Sequence, residues 1–441
     1  MEEKVRSLMP EVVDDLGRLV RIPSIAFPDF PPEPIQEAHD VVVELLRGAG
    51  VEELETLNLP DTAPCVTGSI PAPEGAPTVL LYSHYDVVPA GDESLWSSPP
   101  FEPSERDGAV YGRGASDSKA NVMVHVAALR AWDGRPPVGI KLVIEGQEEV
   151  GGGALGDYPQ SNPDAFRSDA MLIADMGSVR PGVPTLTVGL RGMAQVRFGV
   201  TTLAGAKHSG QYGGAAPDAL ITVIHALAAL HDANGDVAVP GLLREPWDGA
   251  SYSEEEFREL AEVEPGLPLF GTGDLGSRLW SGPAITVTGI DVPSVDEALN
   301  AVSPHARASL NLRVHPEQDP AEAQAMLVDF LRELRPFGIE LEVEPGAIGP
   351  GFSTGTSGPA YTAARAAMAA AWGSEPVKVA TGGSIPFVAA LHEAVPEAEI
   401  LLLGATDGYS NIHAPDERVL LDELEKAVLA EAEFFRLFAG Q

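Results

Sequence analysis

The chain of 441 residues has a single cysteine, few basic residues, few aromatic residues and no long apolar run. Because Cys65 is alone, the chain can form no internal disulfide bond and no cluster of thiolate metal ligands. No segment approaches the about 18 consecutive apolar residues of a membrane-spanning helix, so we expect no membrane partner. The first segment, about 3–21, predicts an amphipathic helix rather than a signal peptide, which favours a cytoplasmic protein.

Positive charge is also scarce. The chain has 28 Lys and Arg against 65 Asp and Glu, which gives a formal net charge of −37. Contact with phosphates needs clustered Lys and Arg, so the composition disfavours a nucleic-acid partner. Diffuse negative charge favours solubility but does not select a metal ion. A metal site must therefore be inferred from particular residues and their positions.

The length indicates two domains, because a single core of this size is unusual. Residues 1–187 alternate between helical and strand patterns. Continuous apolar runs at 78–83, 138–145 and 169–174 predict strands that are buried on both faces, as in a parallel sheet. Predicted helices accompany them at about 3–21, 34–49 and 118–132. This alternation is typical of α/β proteins.

The pattern changes between residues 188 and 346. It reads strand 189–202, helix 217–231, strands 284–290 and 306–314, helix 319–335 and strand 339–344. That order suggests a ferredoxin-like α+β sandwich. After a Gly- and Pro-rich run at 345–359, which we interpret as a hinge, the α/β pattern resumes. We therefore predict a discontinuous α/β domain of residues 1–187 and 347–441 with a mostly parallel sheet, and an inserted domain of residues 188–346.

Five residues that can bind a metal lie at or near the ends of predicted strands or in glycine-rich turns: His84, Asp117, Glu149, Asp175 and His413. Each has an ordinary alternative, since Asp117 could cap a helix and His413 could be a surface histidine. Together they favour a metal site, because two imidazoles and three carboxylates suit two divalent cations with one bridging carboxylate. Zn²⁺ is the first expectation, and Mn²⁺ or Co²⁺ also suit these ligands.

Two further carboxylates give this predicted site its chemistry. Asp86 follows His84 by two residues and can accept the second ring N–H, which orients the imidazole towards a metal. Glu148 and Glu149 are adjacent and repel each other unless a cation or a proton compensates. A ligand role for Glu149 and a general-base role for Glu148 explain the pair better than an exposed acidic turn does.

Several motifs give the chain a resemblance to a known family: SHYDVVP, YGRGASDSKAN, EGQEEVGG, HSGQYGG, NLRVHPEQDP, TGGSIP and NIHAPDE. The chain resembles the M20 di-metal peptidases (Zn-exopeptidase fold), in particular the dipeptidase branch of carnosinase and Cys-Gly dipeptidase. The resemblance implies that Asp117 bridges two metals, and that the peptide between Asp117 and Ser118 is cis. It implies one metal on His84 and Asp175 and the other on Glu149 and His413. It also gives Glu148 and Asp86 the roles named above.

The resemblance further implies a homodimer formed through the inserted domain, which would also act as a lid. His208, in HSGQYGG, would reach the partner's active site and bind substrate there. Arg313 and Ser384 would hold the carboxylate end of the substrate. The branch often has Thr three residues before the proline of its T-x-x-P motif; here that residue is Ala301, which leaves Asn300 as the candidate for the substrate hydrogen bond.

These observations predict an enzyme that hydrolyses dipeptides or short peptides with a metal-activated water. An N-acyl-amino-acid deacylase of the same family would use the same metals and base, and remains an alternative. A non-catalytic metal-binding scaffold is a more distant one, because a scaffold has no need of Glu148 beside the ligands.

Overall fold

The computed structural model describes residues 1–383 and 385–440. The chain forms two compact units. The first comprises residues 1–188, 354–379 and those from 385 onward, and the second comprises residues 189–353 together with 380–383. Within the described residues, none of the helices combines the length and apolar character that crossing a bilayer requires. The first unit is discontinuous because the second is inserted into it.

The first unit alternates helices and strands along the chain. Its helices of four or more residues are Glu2–Val20, Glu33–Gly48, Lys119–Ala131, Tyr158–Ser161, Pro163–Phe166, Pro359–Trp372, Pro386–Ala394 and Leu421–Phe438. Its strands, including those at its boundaries, are Glu53–Leu57, Cys65–Ile70, Thr78–His84, Ser104–Arg106, Ala109–Tyr111, Gly139–Glu145, Ala170–Ala174, Gly177–Ser178, Thr185–Leu190, Val377–Thr381, Glu399–Leu403, Thr406–Asp407 and Arg418–Leu420.

The centre of the main sheet consists of four parallel strands. They lie in the order Gly139–Glu145, Thr78–His84, Ala170–Ala174 and Glu399–Leu403. Antiparallel strands extend the sheet on both sides. The predicted α/β class with a mostly parallel sheet is confirmed.

Two antiparallel strands, Glu53–Leu57 and Cys65–Ile70, were absent from the sequence prediction. Much of their length is only partly buried, so they lack the continuous apolar run that identifies a central strand. Cys65–Ile70 pairs with Gly139–Glu145, and Glu53–Leu57 pairs with Cys65–Ile70, so both strands are held by pairing with neighbours in the sheet.

The helix Lys119–Ala131 lies at the centre of the first unit's core. All its residues except Arg130 are buried, as expected for a helix with other elements on all sides. It packs against the strand Thr78–His84 and the helices Glu2–Val20 and Leu421–Phe438. This packing fixes the position of the turn that precedes the helix.

The second unit is built around an antiparallel sheet. Its strands lie in the order Ala284–Asp291, His305–Val314, Gly192–Thr201 and Glu342–Gly349. Its helices and shorter strands are Lys207–His208, Ser209–Tyr212, Ala219–Ala228, Glu254–Leu260, Leu275–Leu279, Ala301–Val302, Pro320–Leu334 and Phe352–Ser353. Both the chain order and the strand order match the ferredoxin-like arrangement.

Two strand boundaries in this part of the chain differ from the prediction. The predicted strand 189–202 divides into Thr185–Leu190 and Gly192–Thr201. The predicted strand 339–344 is Glu342–Gly349, so it continues into the glycine- and proline-rich residues interpreted as a hinge. A register shift opposite Ala194 and Val196 accommodates these residues in the sheet.

Candidate metal centre

Three neighbouring parallel strands bring predicted ligands to one edge of the main sheet. His84 is the last residue of Thr78–His84, and Asp175 directly follows Ala170–Ala174. Glu149 lies in the short helical turn just after Gly139–Glu145. Because the strands are parallel, their carboxyl ends meet at the same edge, where open α/β sheets bind ligands.

The other two predicted ligands come from turns. Asp117 lies two residues before the helix Lys119–Ala131, and the peptide between Asp117 and Ser118 is cis. Ser118 occupies the N-cap position and no side chain caps this helix, so Asp117 is not a capping residue. His413 lies between the strands Thr406–Asp407 and Arg418–Leu420.

The five side chains converge into two groups that share Asp117. In each group, one donor atom per residue lies within 4.8 Å of the others. In the first, His84 Nε2 is 3.1 Å from Oδ1 of Asp117 and 3.1 Å from Oδ1 of Asp175. In the second, His413 Nε2 is 3.2 Å from Oδ2 of Asp117 and 3.0 Å from Oε2 of Glu149. Asp117 thus directs one oxygen towards each group.

The electrostatics of the cluster fit two bound cations. Burial raises the pKa of Asp175 and of Glu149. Burial alone would lower the pKa of His84, but the nearby carboxylates raise it well above its usual value. Hydrogen bonds with Asp117 and Glu149 raise the pKa of His413 to about 10. The carboxylates thus hold protons on both imidazoles, which two divalent cations would replace.

Asp86 connects the first group to the turn that carries the paired glutamates. It is fully buried, and its Oδ1 lies 3.3 Å from His84 Nδ1. Its two carboxylate oxygens accept hydrogen bonds from the backbone N–H groups of Glu148 and Glu149, each at 3.1 Å. One side chain therefore contacts both a candidate ligand and the backbone of the candidate base.

Glu148 belongs to neither ligand group. It is partly buried in the turn Glu148–Val150. Burial raises its pKa well above the usual carboxylic range, and the negative charge of Asp175 adds to this effect. With its pKa raised to about 9, Glu148 keeps its proton at neutral pH in the metal-free site. It lies next to Glu149 and uses no oxygen in either group, so it is placed to accept a proton once nearby cations favour its charged form.

Three of the predicted substrate residues, His208, Asn300 and Arg313, belong to the second unit, whereas the predicted ligands belong to the first. His208 is exposed and lies on a short strand paired with Ala301–Val302. The Asn300 carbonyl accepts a 2.8 Å hydrogen bond from Ser209 N–H, so His208 and Asn300 lie close together. Arg313 is half-buried on the strand His305–Val314. Ser384 lies outside the described residues.

Three buried charged residues around these sites were not predicted. Arg113 and Glu417 form an ion pair in the first unit, 2.5 Å between Nη1 and Oε2. In the second unit, Arg191 donates to the carbonyls of Leu279 and Gly282 at 2.6 and 2.9 Å. Arg113 and Glu417 do lie in the motifs YGRGASDSKAN and NIHAPDE, but nothing in those motifs shows that the two side chains meet.

The comparisons with known proteins identify the family. The family described as Peptidase family M20/M25/M40 matches residues 80–436. A cysteinylglycine-S-conjugate dipeptidase of Corynebacterium striatum is 43% identical over 366 residues, which are 81% of this chain and 80% of that protein. The chain belongs to this peptidase family, and it is a metallopeptidase with dipeptidases among its relatives.

More distant relatives and solved structures agree. A Beta-Ala-His dipeptidase of Rattus norvegicus is 26% identical over 406 residues, covering 84% of this chain and 80% of that protein. The dipeptidase Dug1p of Saccharomyces cerevisiae has a TM-score of 0.82 at 20% identity, and human carnosine dipeptidase 1 has 0.82 at 23%. Each of these two matches covers 100% of this chain and 98% of the other. At these identities, the structural likeness establishes the fold.

Proposed function

We propose that this metallopeptidase hydrolyses dipeptides and short peptides at the paired groups around Asp117. The observation that carries the proposal is the convergence of five ligand-type side chains into two groups, with Glu148 beside them but in neither. A hydrolytic site needs such a free carboxylate to move protons. The dipeptidases among the chain's relatives support the same reaction.

In this proposal His84 and Asp175 hold one divalent cation, Glu149 and His413 hold the second, and Asp117 binds both. Zn²⁺ is our first choice, and Mn²⁺ or Co²⁺ also suit two imidazoles and three carboxylates. Bound there, two such cations would lower the pKa of a bound water towards neutrality and polarise the scissile carbonyl.

Glu148 acts as general base and then as general acid. It accepts the proton of the attacking water and returns it to the amine that leaves. Asp86 orients His84 through the ring N–H and fixes the turn of Glu148 through the two backbone N–H groups described above. The same carboxylate therefore sets the geometry of a ligand and of the base.

Arg313, Ser384 and Asn300 bind the substrate. The guanidinium of Arg313 is always charged and can bind a carboxylate through two hydrogen bonds, which favours substrates with a free carboxyl terminus. His208 stabilises the oxyanion that forms during attack, and donors in that role contribute on the order of 3 kcal/mol.

We also propose that the protein is a cytoplasmic homodimer that associates through the second unit, with His208 serving the partner's site. The strand Ala284–Asp291 has one partner strand in the described sheet, so its other edge is available for pairing. Ile221 and Ile224, on one helix, and Val287 and Ile290, on the edge strand, are all exposed. Such apolar side chains, together with a free sheet edge, favour association.

A substrate panel tests the reaction. The purified protein, loaded with Zn²⁺, Mn²⁺ or Co²⁺ in turn, would be assayed on dipeptides including Cys-Gly and β-Ala-His, on their C-terminal amides and on N-acetyl amino acids. We expect chelator-sensitive cleavage of dipeptides and little cleavage of the amides. Preferential cleavage of N-acetyl amino acids would instead establish a deacylase, and no chelator-sensitive cleavage would refute the proposal.

A further inference from the structure

Glu417 is a buried carboxylate that makes four contacts within one loop. Its side chain is fully buried. Oε2 accepts from Arg113 Nη1 at 2.5 Å and from Gly114 N–H at 3.0 Å. Oε1 accepts from the N–H groups of Ser116 and Asp117, both at 2.9 Å. Both oxygens are therefore fully used, and three of the four donors are backbone groups of a single turn.

The same carboxylate lies four residues after His413. The segment between them contains left-handed conformations at two non-glycine residues, His413 (φ 61°) and Asp416 (φ 57°). This region is uncommon for non-glycine residues, although Asp and His adopt it more readily than most, and surrounding contacts stabilise it. Arg113 supplies one such contact, because its Nη2 donates to the carbonyl of Ala414 at 3.3 Å.

The backbone of Glu417 is also held in place, by hydrogen bonds with the residues just before Arg113. Its carbonyl accepts a 3.0 Å hydrogen bond from Gly112 N–H, and the next residue, Arg418, pairs with Tyr111 in an antiparallel strand ladder. Several hydrogen bonds thus connect the segments 111–117 and 413–418. The Glu417 side chain contacts the backbone of Asp117 directly, because its Oε1 accepts a hydrogen bond from that residue's N–H.

We propose that Glu417 is a positioning residue that sets the distance between Asp117 and His413, and so determines whether both candidate metal groups can form. Asp117 gives one carboxylate oxygen to each group, so a shift of its backbone changes both groups together. The inference rests on the proposed metal centre. It assigns to Glu417 no contact with a metal or with substrate.

The test compares two buried glutamates. In Glu417→Gln one oxygen becomes an NH₂ group, which must face N–H donors. The control, Glu431→Gln, replaces a fully buried glutamate of the same unit whose described partner is His125, 2.8 Å away. For each metal-free variant, Co²⁺ would be titrated by calorimetry and by the visible spectrum of the bound ion, and the melting temperature would be measured.

We expect Glu417→Gln to bind Co²⁺ about 10- to 100-fold more weakly at both groups, with an altered visible spectrum, as replacement of residues behind metal ligands usually does. Glu431→Gln should have a lower melting temperature than the wild type but the same Co²⁺ affinity and visible spectrum. Glu417→Asp keeps the charge but is one methylene shorter, so it should recover part of the affinity.

Wild-type Co²⁺ affinity and spectrum in folded Glu417→Gln would overturn the inference. If that variant does not fold, Glu417→Asp decides instead: wild-type binding in it overturns the inference, and weaker binding with an altered spectrum supports it. Equal weakening in Glu431→Gln would also overturn it, because the effect would then reflect general destabilisation. If the wild-type protein bound no Co²⁺, the proposed metal centre itself would be refuted. That outcome is distinguishable from failure of the inference about Glu417, in which the wild-type protein still binds the ion.

Discussion

At the scale of single residues, Asp117 belongs to both candidate metal groups, whereas each of the other four candidate ligands belongs to one. Its two oxygens lie 3.1 Å from His84 Nε2 and 3.2 Å from His413 Nε2. Hydrogen bonds with these histidines lower the pKa of Asp117, although burial opposes the effect. Asp117 thus remains charged, as a carboxylate that bridges two cations must be. Glu148, which belongs to neither candidate group, instead has a raised pKa.

Replacing each of the two adjacent glutamates should have a different effect on metal binding. Glu148→Gln should keep both metals and lose roughly 10²- to 10⁴-fold in kcat, because that is the usual contribution of general acid–base catalysis. Glu149→Gln, its matched control, should lose metal as well as activity. Metal content and dipeptide turnover, measured on the same samples, check this. Near-wild-type turnover in Glu148→Gln would exclude it as the base.

Metal uptake should release protons and strengthen as the pH rises. His413 has a pKa of about 10 in the metal-free protein and is therefore protonated at neutral pH, and the carboxylates around His84 raise its pKa in the same direction. A metal needs both imidazoles unprotonated, so its affinity increases as the pH rises and these groups lose their protons. Calorimetry in buffers of different ionisation enthalpy measures the release. Affinity independent of pH between 6 and 9 would contradict the prediction.

At the scale of elements, the first unit contains a buried ion pair between two packed helices. His125, on Lys119–Ala131, lies 2.8 Å from Glu431, on Leu421–Phe438, and neither side chain is exposed. Burial alone would lower the pKa of His125, but Glu431 and the Tyr82 carbonyl raise it above its usual value. The pair therefore stabilises the fold most when His125 is charged.

Replacing His125 should destabilise the metal-free protein in a pH-dependent way. His125→Gln should cost about 3–5 kcal/mol, because it leaves Glu431 buried without its partner. The folded pKa is raised, so the stabilisation is complete below the unfolded pKa of about 6.5 and is lost as pH rises through the folded value. Urea unfolding at pH 6 and pH 9 should show the larger loss at pH 6.

An exposed ion pair on the helix Leu421–Phe438, which also carries Glu431, serves as the control for this prediction. Asp422, whose side chain is 75% exposed, pairs with Lys426 four residues later. Asp422→Asn should change stability by less than about 1 kcal/mol at either pH, because exposed ion pairs contribute little. If His125→Gln lost the same stability at both pH values, its charge would not be the cause.

The elements also show what the sequence could predict. His84, Asp175 and Glu149 were predicted because continuous apolar runs precede them, and parallel strands bring such strand ends together. Asp86 was predicted from its spacing to His84. The strand Glu53–Leu57 was not predicted, because its partly exposed residues carry no period that identifies a strand. The pairings of Glu417 with Arg113 and of His125 with Glu431 join distant segments, so no local pattern predicts them.

At the scale of the whole molecule, mixed dimers test whether His208 acts on the partner. His208→Ala and Glu148→Gln should each form inactive homodimers. If His208 acts across the dimer, equal mixing should restore about a quarter of wild-type activity, because half of the dimers are mixed and each has one complete site. Activity after subunit exchange, with heterodimers verified by two affinity tags, measures this.

The control mixture pairs Glu148→Gln with Glu149→Gln. Both changes then affect the catalytic unit, so neither protomer of the mixed dimer has a complete site and no activity should return. Verified heterodimers of His208→Ala and Glu148→Gln that stay inactive would place His208 outside the partner's site.

The insertion of the second unit between two parts of the first has a consequence for synthesis of the protein. His84, Asp117 and Asp175 leave the ribosome before the inserted unit is made, whereas His413 follows long after it. A nascent chain therefore contains the residues of the group around His84 while the group around His413 still lacks its imidazole. Since translation proceeds at about 5–20 residues per second, many seconds separate the synthesis of Asp175 from that of His413. A peptidase built in this order lacks one of its proposed metal ligands until the segment that follows the inserted unit has been translated.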